Sequence, residues 1–202
     1  DLTFKQRNVL LEQMTDEVAQ LVLKNNHNQG YAINLAASRA AKTIEEYAKF
    51  ITGLKREGLL NREIEFLPND AEISRRIASG EKMTRPELSV LLSYGKMMVY
   101  NDLFNSKLAD DKFFEEDLIN YFPKSMQNKF KEEILSHPLR KEIILTIVTN
   151  KMVNQLSGPI IKSIQNETGA MLCDITRSYM IINSIFNLDD LWTEVENSSS
   201  KF

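Results

Sequence analysis

Glycine and proline are scarce, at 7 and 5 of 202 residues, about half the usual share. Sheet proteins need these residues in their tight turns, so the shortage argues against a sheet. A single cysteine, Cys173, excludes a disulfide scaffold and fits a reducing compartment. Long apolar runs are missing too. The best are Ile143-Ile144-Leu145 and, after one Thr, Ile147-Val148, whereas a spanning helix needs about 20 apolar residues. Positive charge is not in excess: 25 Lys and Arg stand against 28 Asp and Glu, for a net −3. The pairs Arg75-Arg76 and Arg140-Lys141 are diluted by carboxylates, so neither a nucleic acid nor a membrane is expected as a partner. The glycines stand at 30, 53, 58, 80, 95, 158 and 169. No two are separated by one residue, which excludes the Gly-rich turn of a dinucleotide site and the phosphate loop of a nucleotide hydrolase. His27 and His137 have no second ligand at metal spacing. No catalytic, cofactor-binding or metal-ligating residue is therefore assigned.

What the chain does contain is enough to fold. Leu, Ile, Val and Phe account for 59 of 202 residues, which excludes intrinsic disorder. Helix start signals recur. Thr15-Asp16-Glu17-Val18 reads as a cap before Val18, Leu21 and Val22, and Asn69-Asp70-Ala71-Glu72 reads as a capping box. Thr84-Arg85-Pro86-Glu87 is a stronger box, with Pro in the first turn. Leu88, Leu91, Leu92, Met98 and Val99 follow it on one face at helical spacing. Gly58 and Gly80 are C-terminal cap candidates. Pro123 and Pro138 interrupt helical patterns, and Gly158-Pro159 ends the longest one, roughly 139–157. From Cys173 to Phe186, Ile175, Tyr179, Ile182 and Phe186 repeat with helix spacing. The expectation is an all-α fold of ten or eleven helices in one compact domain, 1–196, with a solvated tail at 197–202.

Several clusters invite a chemical reading and are better explained structurally. The acidic runs Asp110–Asp117 and Asp189–Glu194 suit helix N-termini, where carboxylates offset the dipole; their Phe113-Phe114 and Leu191-Trp192 pairs are expected to turn inward. His137, before Pro138, reads as a capping or packing residue, and Cys173 as a core residue. Arg85, Arg140 and Arg177 are kept as interface candidates, since Arg pairs well with partner carboxylates. An internal ion pair is the more ordinary role for each.

One order of segments is distinctive. Thr15-Asp16-Glu17-Val18-Ala19 precedes Gly58-Leu59-Leu60-Asn61-Arg62 and Glu65-Phe66-Leu67-Pro68. Thr84 to Lys96 follows as Thr-Arg-Pro-Glu-Leu-Ser-Val-Leu-Leu-Ser-Tyr-Gly-Lys. Later come Tyr121-Phe122-Pro123, the run His137-Pro138-Leu139-Arg140-Lys141-Glu142-Ile143-Ile144, Asn150-Lys151-Met152-Val153-Asn154, and Glu167-Thr168-Gly169-Ala170. Over residues 7–196 this set resembles the C-terminal helical region of the large bacterial NAD-dependent glutamate dehydrogenases. Gly95 departs from the pattern, where Ala is expected; it weakens a helix by about 1 kcal/mol unless close packing demands it. Ser157-Gly158-Pro159-Ile160 departs as well. The resemblance implies a cytoplasmic parent enzyme that deaminates L-glutamate oxidatively to 2-oxoglutarate and ammonia, with NAD taking the hydride. It implies partners in the catalytic domain of the same polypeptide and in further copies, as a homo-oligomer. The family's catalytic Lys and Gly-rich fold lie upstream, so the chain alone is expected to be inactive. The missing initiator Met and leader fit a piece of a longer polypeptide. The alternative is a free-standing helical protein–protein interaction domain.

Overall fold

A computed structural model describes residues 2–39 and 43–199. Among them stand eleven α-helices and two short 3-10 turns, with no strand. The fold is all-α, as the punctuation by caps and breakers predicts. The helices are α1 (Phe4–Arg39), α2 (Ile44–Arg56), α3 (Asp70–Ser79), α4 (Arg85–Phe104), α5 (Glu115–Tyr121), α6 (Lys124–Gln127), α7 (Lys131–Leu135), α8 (Arg140–Leu156), α9 (Gly158–Thr168), α10 (Leu172–Ile185) and α11 (Leu188–Ser199).

Helix α4 is the axis of the fold. The capping box starts it: the Thr84 amide donates to Glu87 Oε2 at 2.7 Å. Its buried residues line one face, as the spacing suggests: at 100° per residue Leu88, Leu91, Leu92, Val99 and Leu103 fall within about 120° of one another. Leu88 and Leu91 enter a core formed with α2 and α3, around Tyr47, Phe50, Ile51 and Ile73. Leu92, Val99 and Leu103 enter a second core formed with α8 and the helices around it, with Val148, Met152 and Phe114.

The two cores meet at a close backbone approach. A Cβ on Gly95 would stand 3.1 Å from Gly158 Cα, and one on Gly158 would stand 2.6 Å from Phe50 Cζ. The close packing that excuses Gly95 is therefore present: α4 and the start of α9 touch through bare backbone. The preceding residue, Ser157, has φ +71° and ψ 157°, a region that side chains avoid.

Four differences from the sequence reading have physical causes. Thr15 does not start a helix. It lies inside α1, and its hydroxyl donates to the Leu11 carbonyl at 2.9 Å, which satisfies it without a cap. The longest helix is consequently α1, with 36 residues, rather than the one ending before Gly158. In α10 the buried set is Leu172, Thr176, Met180 and Asn183. Thr176 enters the core because its hydroxyl bonds the Leu172 carbonyl at 2.8 Å, while Ile182 and Phe186 face outward. Of the aromatic pair Phe113-Phe114, only Phe114 is buried, and Leu191 is exposed.

Other local readings stand. Asn69 accepts from the Glu72 amide at 2.9 Å, although the expected box is only half formed because the Glu72 carboxylate is taken by Arg75 and Arg76, and Gly80 ends α3 with φ +70°. Acidic residues occupy the first turns of α5 and α11. His137 Nδ1 accepts from the Leu139 amide at 3.1 Å and its ring lies against Phe122. Cys173 packs on the second core. Helix α11 continues to Ser199; the last three residues of the expected tail lie outside the described residues.

Candidate docking surface

Helix α1 is about 54 Å long at 1.5 Å per residue, yet only its C-terminal end is held in a core. Ala32 and Ala36 are buried, and Ile33 and Ala37 pack beside them. Farther back, Glu17 reaches across the fold to accept from the Ser125 amide at 3.1 Å and its hydroxyl at 2.9 Å. Otherwise residues 2–29 are exposed except Leu10, Met14 and Glu17. Phe4, Leu11, Val18 and Val22 are 75%, 48%, 42% and 54% exposed. At 100° per residue these four fall within about 40° of one another. They form an apolar stripe that nothing among the described residues covers.

The total surface agrees. A folded monomer of 23.3 kDa is expected to expose about 9,700 Å²; this chain exposes 12,693 Å². The excess, about 3,000 Å² on this chain alone, reflects an extended shape with helix surface left uncovered.

A second feature is the loop at residues 60–67. Leu60 and Leu67 are buried and pin its ends. Arg62, its side chain 11% exposed, donates from Nε to the Pro68 carbonyl at 2.5 Å and from Nη1 to Asp70 Oδ1 at 2.6 Å. Asn61 Oδ1 accepts from the amides of Glu63 and Ile64, both at 3.1 Å. The Tyr94 hydroxyl donates to Glu65 Oε1 at 2.7 Å. On this frame Ile64 and Phe66 project outward, 69% and 90% exposed, with Phe66 at φ +52°. A non-glycine residue held there costs about 1–3 kcal/mol. A third apolar area, Ile181, Ile182, Ile185 and Phe186, lies exposed on and after α10.

The three Arg candidates do not come together. Arg85 bonds the Asn34 side chain of α1. Arg140 donates to the Ala109 carbonyl at 2.6 Å and so serves the fold. Arg177 lies 3.4 Å from Asp174 and 3.8 Å from Asp111, the internal pairing foreseen. The unpartnered apolar side chains were the stronger signal, and the heptad spacing of Phe4, Leu11 and Val18 was legible.

Charge is concentrated where α3 meets α4. Arg76 bonds Glu72 at 2.7 Å and Glu87 at 2.8 Å, and Arg75 bridges Glu72 and Glu81. Hydrogen bonds from Arg75 and Arg76 pull the Glu72 carboxyl down to about 2. Burial alone would raise Glu87, but Arg76 and the Thr84 amide outweigh it and lower it. These are structural ion pairs.

A cleft of about 380 Å³ opens between α2 and α9, with Lys49, Arg56, Glu57, Lys162 and Glu167 on its walls. No orphaned buried polar atom among the described residues faces it. Among those residues no group of three His, Cys, Asp or Glu stands together as a metal set, and no helix is long and apolar enough to cross a membrane.

Comparison with known proteins divides the chain. Residues 80–202 match the family described as glutamate dehydrogenase, C-terminal. Residues 1–36, nearly all of α1, match the catalytic domain of bacterial NAD-glutamate dehydrogenase. The NAD-specific glutamate dehydrogenase of Halomonas elongata is 39% identical over 201 residues, all of this chain but 12% of that protein. That of Pseudomonas aeruginosa is 38% identical over 197 residues, 98% of this chain and 12% of the relative. That of Mycobacterium tuberculosis is 35% identical over 190 residues, 94% and 12%. The chain thus spans about an eighth of the length of these relatives, and with the C-terminal match over residues 80–202 it belongs to the glutamate dehydrogenase C-terminal family.

Proposed function

We propose that this chain is the non-catalytic helical end of an NAD-dependent glutamate dehydrogenase and that it packs on the catalytic domain of the same polypeptide. One observation carries the reading. A single unbroken helix, α1, is matched by the catalytic-domain family along its exposed length and is buried in this fold only at its far end. The stripe Phe4, Leu11, Val18 and Val22 then faces the body from which the helix comes. The parent would oxidise L-glutamate to 2-oxoglutarate and ammonia in the cytoplasm, passing hydride to NAD, as a homo-oligomer. NAD does not fit the residues described here, where no strand leads into a Gly-rich turn at a helix N-terminus. It would belong with the remainder of the parent, and so would the groups that move the proton and hydride. The role of this part is to hold the frame of a catalytic domain that opens and closes around substrate.

Deletion tests the reading. The parent lacking residues 1–202 is compared with the intact enzyme in oligomer mass, melting temperature and affinities for NAD and glutamate. Loss of stability, assembly or turnover with an unaltered chemical mechanism is expected. An intact, fully active oligomer with the same melting temperature would defeat it and favour a separate interaction domain.

A further inference from the structure

We propose that the loop at residues 60–67 is a preformed plug whose Phe66 and Ile64 side chains seat in an apolar recess of the catalytic domain of the same polypeptide. The inference rests on the reading above, that a catalytic domain packs against this chain. Phe66 is the most exposed large apolar side chain among those described, at 90%, and its backbone stands at φ +52°. A floppy loop would relax out of that conformation. This one is held from every side: by the buried anchors Leu60 and Leu67, by Arg62 on Pro68 and Asp70, by the Asn61 side chain under the Glu63 and Ile64 amides, and by Tyr94 on Glu65. Strain maintained by so many contacts marks a place where the projecting group is used. A rigid aromatic presented this way loses little conformational freedom when it is buried, which is how interface anchors reach high affinity.

The occupant follows from connectivity. The relatives are about eight times longer than this chain, and the catalytic-domain match runs to residue 36. The loop begins 24 positions later, within residues 37–79, which neither family match covers. Residues 37–39 still belong to α1, and four positions separate that helix from α2. A body tethered so closely is present at an effective concentration in the millimolar range. A second copy of the chain must compete at its own, far lower, concentration.

Photo-crosslinking in the full-length enzyme tests this. p-Benzoylphenylalanine replaces Phe66 in one preparation, Val18 in a second and the exposed Gln20 in a third, using mixed isotopically labelled and unlabelled subunits. Position 66 is expected to crosslink to catalytic-domain peptides of its own chain. Crosslinks between labelled and unlabelled subunits, or yields no higher than at Gln20, would overturn the plug. Crosslinking from position 18 but not 66 would refute the plug and leave the packing reading standing; silence at both would refute that reading as well. Phe66→Asn supplies a second readout, because Asn tolerates a left-handed backbone. If Phe66 is seated, the substitution lowers the melting temperature of the full-length enzyme by several degrees. An unchanged or raised melting temperature means that Phe66 faces water, and the proposal is wrong.

Discussion

Gly158 shows how much one missing methyl decides. A Cβ there would stand 2.6 Å from Phe50 Cζ and 3.0 Å from Gly95 Cα, with a buried ring on one side and backbone on the other. Gly158→Ala is predicted to cost about 1–3 kcal/mol through overpacking, read as a lower urea midpoint with an unchanged slope. An unchanged midpoint would mean that α9 slides freely against α4. From the sequence, Gly95 was legible as a helix-weakening residue in need of a packing reason. Its partner was not, because a contact between positions 95 and 158 leaves no local pattern. Phe66 was invisible for a related reason: an exposed Phe in a short loop reads like any core aromatic until the backbone around it is known.

At the scale of elements, the junction of α3 and α4 depends on charge. Glu87 caps α4 and also bonds Arg76, and the two side chains are only 11% and 13% exposed. Glu87→Gln leaves a largely buried guanidinium short of one of its two carboxylate partners, and a loss of about 2–3 kcal/mol is predicted by chemical denaturation. The pH dependence has a definite sign. Glu72, Glu81 and Glu87 are all held below their usual values by Arg75, Arg76 and neighbouring hydrogen bonds. A depressed carboxyl contributes stability that is complete above its unfolded pKa, about 4.3, and is lost as the pH falls through its folded value. Stability should therefore decline as the pH falls from about 4.5 towards 2, and Arg76→Met should flatten that decline. Asp117 works in the opposite direction: burial raises it despite Lys151, so ionising it at higher pH removes stability. A melting temperature that held steady through this acid range would refute the assignment. The caps at Asn69, Gly80 and Thr84 were legible because capping is written in neighbouring residues. The buried face of α4 was legible too, whereas that of α10 was not, because it depends on what the helix packs against.

At the scale of the molecule, the all-α architecture could be read from scarce turn residues and repeated caps. The extent of α1 could not. Thr15 and Asp16 look like a boundary, but the Thr15 hydroxyl bonds back to the Leu11 carbonyl and the helix runs on through them. Its exposed stripe is what makes the chain read as part of something larger. The most direct measurement replaces Leu11 and Val18 together by Glu in the full-length enzyme and records its unfolding temperature and oligomer mass. Both side chains are more than 40% exposed here, so surface substitution alone costs no more than about 0.5 kcal/mol each. If the stripe seats on the catalytic domain, two buried carboxylates must be accommodated, and a drop of many degrees or dissociation of the domain is predicted. An enzyme that melts and assembles like the parent would show the stripe facing water, and the account of this domain as a packed frame would be contradicted.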